Sequence, residues 1–224
     1  MGGRRLSPAD RARTEDPARS TEGNRLGILG GTFDPPHFAH LAIAEQVREA
    51  LGLQSVTFMP AGQPVHKPLA GVSLADHRLR MVELALSGNP HFLVSRHELE
   101  RGRPSYSVDT MSDLTAARPT TEFYFIVSAE AVQGLPEWRE PRRLLELCRL
   151  AVVQRGGYEL PPPEWLSRHF AGQEERFVFV ETVHLGHSAS DIRSRVATGR
   201  SIRYLVPSDV EAYIRENRLY LPHD

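Results

Sequence analysis

Two histidines, His37 and His40, stand three residues apart behind a glycine pair, Gly30 and Gly31, and a rigid Asp34-Pro35-Pro36 approach. At that spacing both imidazoles project from one face of a helix's first turn. The same turn presents backbone N–H groups without intrahelical partners and the positive end of the dipole. Glycine lets the backbone come close to a ligand without a Cβ in the way. Together these groups make a seat for phosphate. As bare residues the histidines equally suit a helix-capping pair or half a zinc site. Zinc takes about four N, S or O ligands, and the single Cys148 is a poor source of the rest.

A second anion-binding pattern lies far down the chain. In Ser188-Ala189-Ser190-Asp191-Ile192-Arg193 a serine at a helix start offers a hydroxyl and N–H groups, and Arg193 follows about one turn later. Plain capping with a surface arginine is the competing reading. Between the two patterns, AGQPVHKPLAGV sets His66 and Lys67 among prolines, where a lysine can clamp a polyphosphate. By composition alone, Lys67 reads as an ordinary surface residue.

The elements that must position these groups are legible as apolar runs. Leu26 to Leu29 read as a buried strand, closed by a turn at Gly30 and Gly31. A helix then carries Leu41, Ile43, Ala44 and Val47 inward and stops near Gly52. Further strands are expected at 55–59, 92–94, 122–127, 150–153 and 177–180. Helices are expected between them: one capped by Ser73, one by Ser105 or Ser107, one opening at Ser128-Ala129-Glu130, and short ones around Leu144 and from Trp165 to Phe170. Glu98 to Arg103 reads as a charged turn, and Trp138 falls at a Leu-Pro-Glu bend. Two more helices follow Ser188 and Pro207. Strands alternating with helices predict an α/β fold: a doubly wound, Rossmann-like parallel sheet with helices on both faces, in a single domain. Ligands of such sheets sit beyond the carboxyl ends of the strands. His37, Lys67, Ser107, Trp138 and Ser188 all follow strands, so they are expected to converge on one crevice.

The chain as a whole sets bounds. Its 224 residues suit one domain, and 40% hydrophobic residues suffice for a core. Residues 1–24 are poor in large apolar side chains and rich in mixed charge, which predicts a disordered tail ahead of a domain over 25–222. A net charge of −1 gives no strong field toward nucleic acid or membrane. A lone cysteine forms no intrachain disulfide and suits a reducing cytosol, and no apolar stretch approaches a membrane span of about 20 residues. A cytoplasmic protein is expected, with a homo-oligomer left open.

The run from Gly30 to His40, GGTFDPPHFAH, resembles the loop that marks the nucleotidyltransferase alpha/beta-phosphodiesterase superfamily, with Ala39 where that loop usually has glycine. HSASDIR resembles the I-S-x-T-x-I-R signature that closes the superfamily's ATP site, with His187 for isoleucine and Ser190 for threonine. With FMPAGQPVHKP, RPSYSVDTM, LPEW and RYLVPSDVEAYI, the chain resembles the bacterial nicotinate mononucleotide adenylyltransferases from about Leu26 to Tyr220. That resemblance implies transfer of AMP from ATP to nicotinate mononucleotide, with Mg²⁺ carried by ATP and no protein-held metal. It implies that His37 and His40 meet the phosphates at the reacting centre. Lys67 and Arg193, with Ser188 and Ser190, would hold the β- and γ-phosphates, while Gly30, Gly31, Thr32 and Phe33 let backbone approach the nucleotide. Trp138 would stack on the pyridine ring, with Tyr106 beside it, and its carboxylate would meet backbone N–H groups at Ser107 and Arg139. The family's Gly-x-Asp after the fourth strand reads Ser128-Ala129-Glu130 here, which leaves Glu130 to hold the ribose. The competing readings are another acceptor, nicotinamide mononucleotide or phosphopantetheine, a nucleotide-binding protein with weakened catalysis, and an RNA-binding protein using its arginine-bearing tail.

Overall fold

The computed structural model describes residues 25–64, 71–154, 160–183 and 185–222. The tail at 1–24 and His66 and Lys67 lie outside them. Six strands form one sheet: β1 (Arg25–Gly31), β2 (Ser55–Pro60), β3 (Phe92–Val94), β4 (Glu122–Ser128), β5 (Arg149–Val153) and β6 (Phe177–Val180). Their order is β3-β2-β1-β4-β5-β6, and every neighbouring pair is parallel. The order reverses between β1 and β4, which opens a crevice at the carboxyl ends of those two strands.

Strand side chains alternate between faces, and both faces are covered. Leu26, Ile28, Phe123, Phe125 and Val127 point one way, into a core shared with α4 (Ser107–Ala117), α6 (Pro141–Leu147) and α7 (Pro163–Phe170). Leu29, Val56, Phe58, Tyr124 and Ile126 point the other way, against α1 (Phe38–Ala50) and α2 (Ala75–Leu86). Each such side chain, fully buried, contributes about 1.5–3 kcal/mol. Outside this second layer, Met81 and Ala85 of α2 meet Ile192 of α8 (Ala189–Ala197) and Val210 and Ile214 of α9 (Ser208–Glu216). The doubly wound sheet expected from the alternation is therefore present.

Several local expectations shift. The glycine pair lies inside β1, and the turn falls at Phe33, whose φ is 50°. Gly31 is small for packing reasons: a Cβ there would stand 3.1 Å from the Phe33 ring. Ser73 does not cap α2; Leu74 precedes that helix, and the Ser73 N–H donates to Asp34 instead. Neither Ser105 nor Ser107 is the cap of α4, which follows Tyr106 and begins at Ser107. The charged turn at 98–103 contains part of a short helix, α3 (His97–Glu100), that buries Glu98. It sits against the loop after β2, because a Cβ on Gly62 would strike the Glu98 carbonyl.

Candidate active site

The crevice has a volume of about 510 Å³ and is lined by β1 from Leu29, by the β4 end from Phe125 to Ser128, and by the starts of α1, α4 and α8. Its floor is apolar strand. Several of its polar groups come from helix beginnings, where backbone N–H groups have no intrahelical partner.

His37 ends the β1 loop as the N-cap of α1, in extended conformation, and is only 3% exposed. Its backbone N–H donates to Nδ1 of His40 at 3.2 Å, and the two rings stack with centroids 3.7 Å apart. The capping reading of the pair is thus realised, and it leaves both rings on the crevice wall. The bond also fixes chemistry: an Nδ1 that accepts carries no proton, so in the neutral His40 ring Nε2 is the N–H donor. Phe33 packs edge-on to His40, 5.1 Å between centroids, and holds the ring from the other side. Ala39 also lines the crevice and is 8% exposed, so its methyl is accommodated where the family loop usually has glycine.

Across the crevice, Ser188 caps α8 by accepting the Asp191 N–H at 3.1 Å. Arg193 donates from Nη1 to the Asp34 carbonyl at 2.7 Å and from Nη2 to Ser190 Oγ at 3.2 Å. Two helix N-termini, α1 and α8, are thus joined by one arginine at the edge of a shared cavity. His187, just ahead of the cap, sets its ring against His37 at 5.0 Å.

Toward α4, Ser107 and Trp138 line the same crevice, Ser107 as the first residue of its helix. Trp138 follows the 3-10 turn Leu135–Glu137 and is half-buried. Tyr106 and Arg139 do not line the cavity. The Arg139 guanidinium lies 4.9 Å from the Tyr106 ring centroid and 3.6 Å from an Asp109 oxygen, so the two side chains are held to each other and to the first turn of α4. Gly30, Gly31, Thr32 and Phe33 all line the cavity. Glu130 is exposed in the first turn of α5 (Ala129–Gln133), outside the lining. The departure at Ser128 has a local reason: its hydroxyl accepts the Ala131 N–H at 3.2 Å and caps α5.

The sequence did not point to Glu98, Ser105 or Asp34 as parts of the site. Glu98 lines the crevice although only 7% exposed, and burial raises its carboxyl pKa against hydrogen bonds that lower it. Its Oε1 accepts the Thr110 hydroxyl at 2.7 Å. Ser105 accepts the Gly62 N–H at 3.1 Å, joining the loop after β2 to the approach of α4. Glu98 is acidic in a polar stretch, and only its burial distinguishes it. Asp34 stands in the first motif, so its type and position were visible while its partners were not.

A family model described as cytidylyltransferase-like matches residues 28–195. Among curated proteins, the "Probable nicotinate-nucleotide adenylyltransferase" of Geobacillus thermodenitrificans is 43% identical over 196 residues, 88% of this chain and 86% of that one. The protein of the same name from Thermomicrobium roseum is 44% identical over 197 residues, covering 88% and 92%. Among solved structures, the Plasmodium falciparum nicotinic acid mononucleotide adenylyltransferase complexed with NaAD superposes with a TM-score of 0.73. That match covers 88% of this chain and 97% of the other at 16% identity, a likeness of fold.

Proposed function

Because this chain belongs to the cytidylyltransferase-like family, among its nicotinate-nucleotide adenylyltransferases, we propose that its crevice joins ATP to nicotinate mononucleotide at the end of β1. The enzyme transfers AMP from ATP to nicotinate mononucleotide, giving nicotinate adenine dinucleotide and pyrophosphate, in NAD biosynthesis. The observation that carries the chemistry is that two helix N-termini, α1 at His37 and α8 at Ser188, line one cavity.

The acceptor phosphate is already an anion at neutral pH, so the step needs no general base and no covalent enzyme intermediate. An acceptor oxygen attacks the α-phosphorus in line, and the bond from that phosphorus to the bridging oxygen of pyrophosphate breaks. What the protein supplies is position and fixed dipoles where charge grows. The His40 Nε2–H and the His37 ring face the α-phosphate. Arg193, Ser188 and Ser190 hold the departing β- and γ-phosphates, with Lys67 from the Pro-rich loop. Trp138 stacks on the pyridine ring, and its carboxylate takes N–H groups at the start of α4 and at Arg139. Glu130 meets the ribose from the solvent side.

Mg²⁺ would be carried by ATP, whose polyphosphate oxygens are the kind of hard ligand it takes. The buried Asp34 carboxylate already accepts the Ser73 N–H and the Tyr220 hydroxyl, and among the described residues no group of three or more His, Cys, Asp or Glu is placed to hold a metal ion. Carried on the polyphosphate, the ion would supply charge neutralisation for the leaving pyrophosphate that Arg193, Ser188 and Ser190 hold. No helix of the described residues is long and apolar enough to cross a membrane. The buried Cys148 thiol, pushed up to about 12 by burial, stays protonated, and a free thiol of this kind supports a location in the reducing cytoplasm. Incubation with MgATP and nicotinate mononucleotide tests the reading: the dinucleotide and pyrophosphate should form in equal amounts. Pyrophosphate without dinucleotide would overturn it.

A further inference from the structure

We infer that Tyr220, at the far end of the chain, is a positioning residue for ATP, acting through Asp34 on Arg193. The tyrosine hydroxyl donates to Asp34 Oδ1 at 2.6 Å across 186 residues of sequence. Asp34 is 3% exposed, and its second oxygen accepts the Ser73 N–H at 3.1 Å. With both oxygens held, the Asp34 peptide is fixed, and its carbonyl accepts Arg193 Nη1 at 2.7 Å. A buried arginine completes the frame: Arg78, 2% exposed, donates to the carbonyls of Thr32 and Ser73, each at 3.0 Å. The β1 loop, the start of α2, α8 and the C-terminal segment therefore meet at one aspartate.

The tether holds a chain end that would not choose its own conformation. Tyr220 has φ 66° and Arg218 has φ 51°. For a bulky aromatic residue that region is sterically costly and persists only where surroundings impose it. Tyr220 packs with α2 and α9 side chains in the outer core, and its hydroxyl also lies 3.8 Å from Met81 Sδ. Burial and the neighbouring Asp34 carboxylate push the phenol far above its ordinary range, so it remains a donor at every working pH. Arg193 is thereby pre-oriented: one arm is fixed to backbone, one to Ser190, and the side chain still lines the crevice. Ordering that long side chain before ATP arrives removes an entropic cost from binding.

This inference rests on the assignment of Arg193 to the ATP phosphates. The test is the Kd of MgATP, by titration calorimetry without acceptor, for the full chain and four variants: Tyr220→Phe, Arg193→Ala, their double variant and Asp34→Asn. Tyr220→Phe is expected to weaken ATP binding by at least about fivefold, the lower end of couplings between linked groups. It should leave the KM for nicotinate mononucleotide within about twofold of wild type. In the Arg193→Ala background the same change should do almost nothing further, the mark of a residue acting through Arg193. Asp34→Asn, which puts an amide N–H where one acceptor stood, should weaken ATP binding in the same direction. A lowered Tm with unchanged ATP affinity, or an effect that adds in full to Arg193→Ala, would overturn the inference. Because the acceptor plays no part in the titration, an error in naming it would show as absent turnover with normal ATP affinity.

Discussion

The His37 backbone N–H donates to Nδ1 of His40 at 3.2 Å while the two rings stack 3.7 Å apart. One bond therefore closes the start of α1 and commits His40 to presenting Nε2–H. In the proposed mechanism the two nitrogens of His40 have separate jobs, and amide substitutions can divide them. Asparagine can supply an acceptor near the Nδ1 position, and glutamine a donor near Nε2. His40→Ala should lower kcat by about 10²-fold or more, as loss of one donor to developing charge does. His40→Gln should retain more kcat than His40→Asn. Steady-state kinetics on the three variants checks this; an alanine variant within a few-fold of wild type would remove His40 from the chemistry.

Direct attack has its own signature. Without a covalent adenylyl-enzyme, the protein should not exchange labelled pyrophosphate into ATP unless the dinucleotide or its acceptor is present. Exchange with ATP alone would require an enzyme-bound AMP and would contradict the in-line reading.

Much of this was legible in the sequence because it is local. The buried strands announce themselves as apolar runs, and the two helix starts that line the crevice each lie within one contiguous segment, Gly30 to His40 and His187 to Arg193. What could not be read is tertiary. Tyr220 looks like any aromatic near a chain end until it reaches Asp34. Glu98 looks like a member of a charged turn until α3 buries it against Gly62. The caps expected at Ser73 and at Ser105 or Ser107 fall one residue or more away for a related reason. The Ser73 N–H is taken by Asp34, and the Tyr106 carbonyl already accepts the N–H groups of Asp109 and Thr110, which sets that helix start at Ser107.

Glu130 offers a test of the adenosine end. It stands exposed beside the β4 terminus, so it should matter only when a ribose is present. Glu130→Ala should raise the KM for ATP by about tenfold, equivalent to about 1.4 kcal/mol, with the KM for nicotinate mononucleotide nearly unchanged. Folding stability should hardly move. An unchanged ATP KM, or a shift confined to the acceptor, would take the ribose from this residue.

Glu98 should leave a mark on stability. Burial raises its carboxyl pKa in the folded state, with Thr110 and Ser105 hydrogen bonds acting the other way. A carboxyl raised by folding favours the native state while protonated, and that contribution is lost as pH climbs from the unfolded value, about 4.3, through the folded one. Glu98→Gln keeps an acceptor for Thr110 without the buried charge. At pH 7 its Tm should exceed wild type, and the gap should close below about pH 4. At this chain length about 1 kcal/mol moves Tm by about 2–4 °C, within reach of calorimetry. A gap that widens as pH falls would reverse the assignment.

Acceptor choice tests the central claim most directly. N–H groups at the start of α4 suit a carboxylate, whereas an amide would set its own NH₂ against them. The measurement is the initial rate of pyrophosphate release from MgATP with nicotinate mononucleotide, nicotinamide mononucleotide or phosphopantetheine, side by side. The expected result is a kcat/KM for the nicotinate acceptor at least about tenfold above the amide's, a margin of about 1.4 kcal/mol, with little release on phosphopantetheine. Equal efficiency on acid and amide, or faster release with phosphopantetheine, would contradict it.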